Sequence, residues 1–212
     1  MEIKRVKNPA NKVMQERCTI RKYNPSVKIS KQEMSNILQD ALTAPSSLNL
    51  QPWRFVIIES EEGKKLLSSH IMFNQLQCET SSAVIAVFGD RENFTYADEI
   101  FSAAVKFGLI TEDIKRSALE KYEAYRSVFT DERIKDTLLL DGGLVCMQIM
   151  LAAKGYGYDT NPIGGYQKLE LTEALGLDTK RYIPILLISI GKADEEGHDS
   201  IRFSADEITQ WV

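Results

Sequence analysis

Two continuous apolar segments constrain what this 212-residue chain can fold into more than any other feature. Residues 83–88 read AVIAVF and residues 183–190 read IPILLISI, and both are rich in β-branched side chains. Segments of this length between polar residues are typical of strands buried on both faces of a sheet. Residues 55–58, FVII, predict a third strand. Because helical patterns fill the sequence between the strands, we expect a single domain over residues 1–212 with one central sheet and flanking helices.

The helices are predicted from capping residues and apolar spacing. Asn8 and Pro9 have the sequence of a helix start, and this first helix should run to about Cys18. Ser30 followed by Glu33 is a capping-box pattern ahead of an amphipathic helix. Further helices are predicted near residues 61–69, 96–125 with a break at Gly108, 130–154 and 169–175.

Two adjacent glycines, Gly142 and Gly143, lie inside the longest helical segment. Glycine destabilises a helix interior by about 1 kcal/mol relative to alanine. Close packing against another helix, including one from a second copy of the chain, would offset that cost, and a kink is the alternative. The segment 161–165, NPIGG, is predicted to be a loop after this helix.

Composition excludes several classes of function. The formal net charge of −4 leaves no basic excess for a nucleic-acid partner. No continuous apolar run approaches the roughly 20 residues of a membrane span, and the first residues lack the apolar core of a signal peptide, so we expect a cytoplasmic protein without a membrane partner. Three widely spaced cysteines argue against a disulfide framework and a zinc site. With only two histidines, any enzymatic chemistry would come from a cofactor.

The segment 44–55, APSSLNLQPWRF, connects a predicted helix to a predicted strand. Its Pro45, Ser46, Ser47 and Asn49 form a polar loop that offers hydroxyls, an amide and unpaired backbone N–H groups to a ligand. The alternative is an ordinary connection in which these polar side chains only satisfy the chain ends.

Two further segments have the chemistry of a ligand site. Arg17, Thr19 and Arg21 combine two guanidinium groups and a hydroxyl, a set that can bind phosphate. The alternative is a solvated patch, because a spacing of four places both arginines on one helical face. The glycines of the segment 161–165 would let a flat ligand approach bare backbone, or would simply form a tight turn. No GxGxxG or Walker-type loop occurs in the sequence.

In their order and spacing, these segments resemble the nitroreductase family. The resemblance extends from about Gln15 to about Phe203 and rests on RCTIR at 17–21, the 44–55 segment, Phe73-Asn74, NPIGG at 161–165 and a basic residue in the tail. It implies an α+β nitroreductase-like fold, with a central mixed sheet flanked by helices, in an intertwined homodimer. It also implies FMN as cofactor and NADH or NADPH as electron donor. Nitroaromatics, quinones or similar small molecules would be the acceptors in a two-step, ping-pong hydride reaction through flavin N5.

The resemblance assigns the flavin phosphate to one group of residues. Arg17 and Thr19 would bind it with the Cys18 backbone, and Arg202 would complete the site from the tail. Arg21 would lie at the N1–C2 edge of the flavin, where negative charge collects on reduction.

The flavin ring is assigned to three other groups. The partner subunit would contribute Pro45, Ser46, Ser47 and Asn49. Asn74 would hydrogen-bond the pyrimidine edge, with Gln77 close by. One flavin face would be covered by Pro162, Ile163, Gly164 and Gly165, with the Gly164 N–H directed at N5. No catalytic side chain and no metal is expected.

Four residues depart from those common in the family. Cys18 replaces a second arginine or a histidine, Gln77 replaces a lysine of some members, Gly164 replaces a glutamate of others, and Ser200 lies where some have another phosphate-binding cation. These departures bear on flavin potential and substrate range more than on flavin binding. The alternatives are a specialised relative, acting as a dehalogenase, dehydrogenase or flavin-processing enzyme, and a non-catalytic flavin-binding protein.

Overall fold

A four-stranded sheet forms the centre of the computed structural model, which describes residues 9–212. Its strands are β1 (Trp53–Ile58), β2 (Ala83–Asp90), β3 (Asp159–Ile163) and β4 (Tyr182–Gly191), in the order β1-β2-β4-β3. All neighbouring strands are antiparallel. The prediction of a mixed sheet is therefore wrong for these strands. Among residues 9–212, parallel pairing occurs at one isolated bridge, between Thr19 and Thr160.

The two apolar segments form the two central strands, as predicted. Every residue of β2 is buried, and β4 is buried along most of its length, because each lies between two other strands and under helices on both faces. The strand β1 lies at one edge, and its four middle residues are only half-buried. The segment 55–58 is therefore less buried than its composition indicates.

Helices cover both faces of the sheet. The chain contains α1 (Pro9–Glu16), α2 (Lys31–Ala41), α3 (Glu61–Ser68), α4 (Gln75–Thr80), α5 (Ala97–Lys106), α6 (Glu112–Arg126), α7 (Asp131–Gly155), α8 (Lys168–Ala174) and α9 (Ala205–Ile208). One core cluster lies between the sheet and α2 with α7, and the other lies under α3, α4 and α8. A smaller cluster, around Tyr122, joins α5 to α6.

The predicted helix ends are partly confirmed. Gly108, at a φ of +69°, separates α5 from α6. Ser30 accepts a hydrogen bond from the Glu33 N–H, but the Glu33 carboxylate accepts one from the Tyr158 hydroxyl instead of closing the capping box. The first helix stops at Glu16, two residues earlier than expected, and its predicted cap Asn8 lies outside the described residues.

The predicted loop at 161–165 is wrong in its first half. Residues 161–163 belong to β3, which pairs with β4 at the edge of the sheet. Proline is compatible with an edge strand, because an edge strand pairs on one side only and the missing N–H can lie on the unpaired side. Only Gly164 and Gly165 remain in the turn that follows.

The helix α7 is long and apolar enough, by length and composition, to cross a membrane. Here it packs against α2 and against all four strands. Its buried side chains, Leu138, Val145, Ile149 and Ala153 among them, therefore account for part of its apolar composition, and Leu140, Leu144 and Met147 are exposed.

Gly142 on α7 faces the sheet rather than another helix. At the Val87–Phe88 step the β2–β4 register shifts, so that Ile185 of β4 is an extra, bulged residue beside Pro184. A Cβ on Gly142 would overlap the Cδ1 atom of Ile185. A Cβ on Gly143 would meet nothing within 4 Å. Within the described chain, Gly142 is therefore closely packed against a strand instead of the helix that the sequence predicted.

We expect Gly142→Ala to lower the free energy of unfolding by about 1–3 kcal/mol, because the new methyl group forces Ile185 out of its position. Gly155→Ala is the matched control. Gly155 lies in the same helix, and a Cβ there meets nothing within 4 Å. Urea unfolding of both variants measures the difference. Equal stability of the two variants would show that the bulge does not require a glycine opposite it.

Candidate active site

The segment 17–24 runs along the edge of the sheet at β3 and β4. The Ile20 N–H donates to the Thr160 carbonyl at 3.2 Å, and the Asn24 N–H donates to the Lys192 carbonyl at 2.8 Å. Between them, the Tyr23 ring is fully buried and its hydroxyl lies 2.9 Å from Ser189 Oγ. This docking holds the segment in an irregular conformation. Arg17 and Arg21 therefore do not share a helical face, so the premise of the solvated-patch alternative is wrong.

The two arginines of this segment are available to an anion. Arg17 is half-buried and Arg21 is exposed. Within residues 9–212, neither guanidinium group has a hydrogen-bond or ion-pair partner. The contact of Arg21 is through its backbone N–H, which donates to the Glu195 carboxylate at 2.5 Å. A half-buried guanidinium without a protein partner indicates a site for a negatively charged group.

The Cys18 side chain is turned toward the tail. A Cβ on Gly197 would overlap Cys18 Sγ, so the tail passes directly over this thiol. The other two cysteines, Cys78 and Cys146, are buried, and burial raises the pKa of each thiol to about 12. Neither is therefore a thiolate nucleophile at neutral pH.

Asn74 lies next to the glycine turn after β3. The Met72 N–H donates to the Gly165 carbonyl at 3.1 Å, and a Cβ on Gly165 would lie 4.0 Å from Asn74 Nδ2. The buried Gln77 donates from Nε2 to Asn74 Oδ1 at 2.8 Å. Gln77 thus fixes the Asn74 amide from behind and leaves its NH₂ group facing the turn.

Gly164 has the geometry of a backbone donor. It is exposed, its φ is outside the left-handed region, and a Cβ there would meet nothing within 4 Å. In the part of the chain that the structure describes, its N–H has no acceptor. An unpaired N–H beside an open surface can donate to a ligand.

These residues fit FMN. Arg17, Thr19 and Arg21 lie beside the start of β3, and the free Gly164 N–H and the Asn74 amide lie at its end. The first group suits a phosphate, and the second suits the heteroatoms of a flat heterocycle. Among residues 9–212, no three His, Cys, Asp or Glu side chains lie together as metal ligands.

Two predicted parts of the site make no hydrogen bond or ion pair with the rest of it in the described residues. The Arg202 guanidinium is exposed on the tail and donates to the neighbouring Ile201 carbonyl. The loop from Pro45 to Asn49 packs against α7. Within the described residues, no hydrogen bond or ion pair joins either part to the 17–21 segment or to the glycine turn.

The loop after Ser46 is strained. Leu48, Asn49 and Gln51 have φ values of 57°, 57° and 48°, a region that non-glycine residues seldom adopt. Each such residue costs about 1–3 kcal/mol, and the conformation persists only where neighbouring groups enforce it. Ser46 Oγ accepts from the Gln51 N–H at 3.0 Å, and Asp141 holds Ser47.

Asp141 is a functional candidate that the sequence analysis missed. It is 2% exposed in the middle of α7, and it accepts hydrogen bonds from both the N–H and the hydroxyl of Ser47 at 3.0 Å. Burial raises its pKa, and the two bonds from Ser47 partly oppose that rise. The sequence could have indicated it, because an aspartate stands between apolar residues of a predicted helix and next to Gly142.

A second missed feature is a cavity of about 550 Å³ between the strained loop, α5, α6 and the start of α7. Its wall is mostly apolar and aromatic, and it contains Leu48, Leu50, Phe94, Phe101, Tyr122, Phe129 and Leu138. Two buried polar atoms of its lining residues, Asn93 Oδ1 and the Tyr122 hydroxyl, have no hydrogen-bond partner among residues 9–212. The sequence does not indicate this cavity, because its lining comes from five separate segments.

The raised pKa of Asp141 predicts how stability changes with pH. The folded chain keeps the Asp141 carboxyl protonated to a higher pH than the unfolded chain does. The free energy of unfolding therefore falls as the pH rises from the ordinary aspartate pKa, about 3.9, through the raised pKa of the folded chain. An asparagine at this position would have no proton to lose. We therefore expect the free energy of unfolding of wild type, relative to Asp141→Asn, to fall between pH 3.5 and pH 7.

Asp136→Asn, at an exposed position on the same helix, is the control for net charge. Asp141→Ala should cost about 1–3 kcal/mol at pH 7, because it leaves the Ser47 N–H without an acceptor. Urea unfolding at each pH gives all the values. A difference between wild type and Asp141→Asn that stays constant with pH would contradict the assignment.

Comparison with known proteins gives consistent matches along the chain. The model of the nitroreductase family matches residues 14–192. A Bacillus subtilis protein assigned as NAD(P)H nitroreductase YdgI is 50% identical over 204 residues, which are 96% of this chain and 98% of that protein. The CLA biosynthesis enone reductase of Lactiplantibacillus plantarum is 32% identical over 98% of this chain and 96% of its own length.

Solved structures agree with these matches. A crystal structure from Exiguobacterium sibiricum, assigned as a nitroreductase in complex with FMN, superposes with a TM-score of 0.94 at 44% identity. The match covers 98% of this chain and 99% of the chain in that crystal structure.

Proposed function

Because the chain belongs to the nitroreductase family, we propose that it is an FMN-dependent NAD(P)H oxidoreductase that reduces nitroaromatics, quinones or similar small acceptors. The resemblance read from the sequence is thereby confirmed at the level of the family. The observation that carries the proposal is the convergence on β3 of two unpaired guanidinium groups, an unpaired backbone N–H and a fixed amide.

We assign the phosphate of FMN to Arg17 and Thr19, with the Cys18 backbone. Charge-assisted hydrogen bonds of this kind contribute about 1.5–3 kcal/mol each. Arg21 would lie at the N1–C2 edge and stabilise the negative charge that gathers there, because its guanidinium has no competing partner in the described chain. Asn74, fixed by Gln77, would donate to the pyrimidine edge.

FMN, when bound, would supply the redox chemistry by accepting a hydride from NADH or NADPH at N5 and passing it to the acceptor in a second step. The chain's own part is to bind, orient and polarise. The segment Pro162–Gly165 would cover one face of the ring, and the Gly164 N–H would donate to N5. None of these roles requires an acidic or nucleophilic side chain.

We further propose that the active unit is a homodimer. In the described chain, no hydrogen bond or ion pair joins the 45–49 loop or Arg202 to the proposed flavin residues, which supports a second copy supplying the loop. Two apolar surfaces also have no cover within residues 9–212. They are the α7 face formed by Leu140, Leu144 and Met147, and the tail residues Ile201, Phe203 and Trp211, all of which are exposed. We place this dimer, one domain per chain, in the cytoplasm.

The purified protein tests the function directly. Release of FMN on denaturation, together with reduction of the bound flavin by NADH or NADPH in stopped flow, is the expected result. Turnover with an added quinone or nitroaromatic separates an enzyme from a non-catalytic flavin-binding protein. A flavin that neither nucleotide reduces would contradict the proposal.

Variants of Gly164 test the N5 assignment. Gly164→Pro removes the N–H, and the extended conformation of the preceding Ile163 is compatible with proline. We expect its flavin-reduction rate to fall at least tenfold at saturating FMN. Gly164→Ala keeps the donor and places its Cβ in open space, so most of the rate should remain. A flavin-loaded proline variant as fast as wild type would refute the assignment.

Light scattering tests the dimer. Wild type should have about twice the 24.0 kDa chain mass. Leu144→Glu should produce monomers that lose FMN, because it places a charge on the apolar face of α7. Leu109→Glu, at an exposed position outside that face, is the control. A wild-type monomer that retains FMN would rule out the shared site.

A further inference from the structure

We propose that Glu195 positions Arg21 and thereby controls how strongly the protein stabilises negative charge at the N1–C2 edge of the flavin. Glu195 would act through Arg21 and not by touching the flavin. The inference rests on the proposed function, because it takes Arg21 as the residue at that edge. The evidence lies in the backbone pairing around Arg21, in the two hydrogen bonds of the Glu195 carboxylate and in the unpaired Arg21 guanidinium.

The chain that follows β4 lies antiparallel to the segment that contains the two arginines. Tyr23 and Ala193 form an antiparallel bridge, and the Asp194 N–H donates to the Lys22 carbonyl at 3.0 Å. The backbone ladder ends there, one residue before Arg21. Within the described residues, the Arg21 N–H is bonded by a side chain instead of a carbonyl. The position of Arg21 therefore depends on that side chain.

The side chain is that of Glu195. Its Oε1 atom accepts from the Arg21 N–H at 2.5 Å and from the Lys22 N–H at 3.2 Å. Hydrogen bonds to an ionised acceptor are stronger than those between neutral groups. The first N–H belongs to the peptide group before the Arg21 Cα atom, and the second belongs to the peptide group after it. Because each peptide group is planar, anchoring both of them fixes the direction in which the Arg21 side chain leaves the backbone.

The Arg21 guanidinium keeps its charge available. In the part of the chain that the structure describes, it forms no ion pair with Glu195, although that carboxylate is bonded to the backbone of the same residue. The neighbouring ammonium group of Lys22 is paired with Asp194, with 2.7 Å between Nζ and Oδ2. A cation that is fixed at the backbone and not paired within the protein is preorganised for negative charge on a ligand. Glu195 thus positions Arg21 without pairing with its charge.

Two other roles for Glu195 lead to different expectations. A carboxylate that only docked the tail would affect the stability of the protein and leave the flavin unchanged. A carboxylate that acted only through its own negative charge would oppose the gain of negative charge by the flavin, so any neutral residue in its place would raise the flavin potential. A positioning residue differs from both, because its effect depends on the acceptor oxygen and not on the charge.

The midpoint potential of the bound flavin, measured in the FMN-loaded protein against reference dyes, separates the three roles. Glu195→Ala removes the acceptor. We expect the preference of the protein for reduced over oxidised FMN to fall about tenfold, which lowers the potential by about 30 mV for a two-electron couple. Glu195→Gln keeps an acceptor oxygen and removes the charge, so its potential should equal or exceed that of wild type. Glu196→Ala removes a charge from the next residue, which is exposed, and as the matched control it should not lower the potential.

A double-mutant cycle tests whether Glu195 acts through Arg21. Arg21→Ala should itself lower the potential, because it removes the positive charge from the N1–C2 edge. Adding Glu195→Ala to Arg21→Ala should then produce no further decrease, because no guanidinium is left to position. Two independent effects would add instead.

The proposal is overturned if Glu195→Ala leaves the potential unchanged or raises it, if Glu195→Gln lowers the potential as well, or if the two decreases add in the double variant. A lower melting temperature of Glu195→Ala with an unchanged potential would assign Glu195 to docking of the tail alone. A wild type that binds no FMN, or whose flavin neither NADH nor NADPH reduces, would instead refute the proposed function on which this inference rests.

Discussion

The antiparallel pairing of β2 with β4 is the interaction on which the rest of the structure depends. Both strands are covered on both faces, so their apolar side chains supply the two core clusters that hold the helices. On the side away from β2, β4 pairs with β3. The residues just after the end of β4 pair with the 17–24 segment. The β3–β4 pairing therefore fixes the position of the residues that we assign to the flavin phosphate relative to the glycine turn.

Two neighbouring residues on α7 connect this sheet to the other proposed half of the site. Gly142 lets the helix approach the bulged Ile185, and Asp141 holds Ser47 of the strained loop. Because these residues are adjacent, the position of the loop is set by the same contact that seats the helix on the sheet. The loop keeps its unusual backbone for the same reason, since a rigid helix enforces one of its anchors.

The site is incomplete in two physical senses. Cations and N–H groups beside β3 lack partners within the described chain, which we attribute to FMN. Apolar surfaces on α7 and on the tail lack a cover, which we attribute to a second copy. Unpaired cations and exposed apolar side chains contribute little to the stability of the single chain, so both sets are more readily explained by binding than by folding.

The sequence by itself determined the features that depend on local chemistry. Continuous apolar runs identified β2 and β4, the serine cap identified the start of α2, and Gly108 marked the break between α5 and α6. The order of the RCTIR, APSSLNLQPWRF and NPIGG segments also identified the family. Only the tertiary structure decided strand direction, the inclusion of Pro162 in an edge strand, the role of Asp141 and the existence of the cavity. Each of these depends on contacts between residues far apart in the chain, and a local pattern contains no record of which distant residue will lie opposite it.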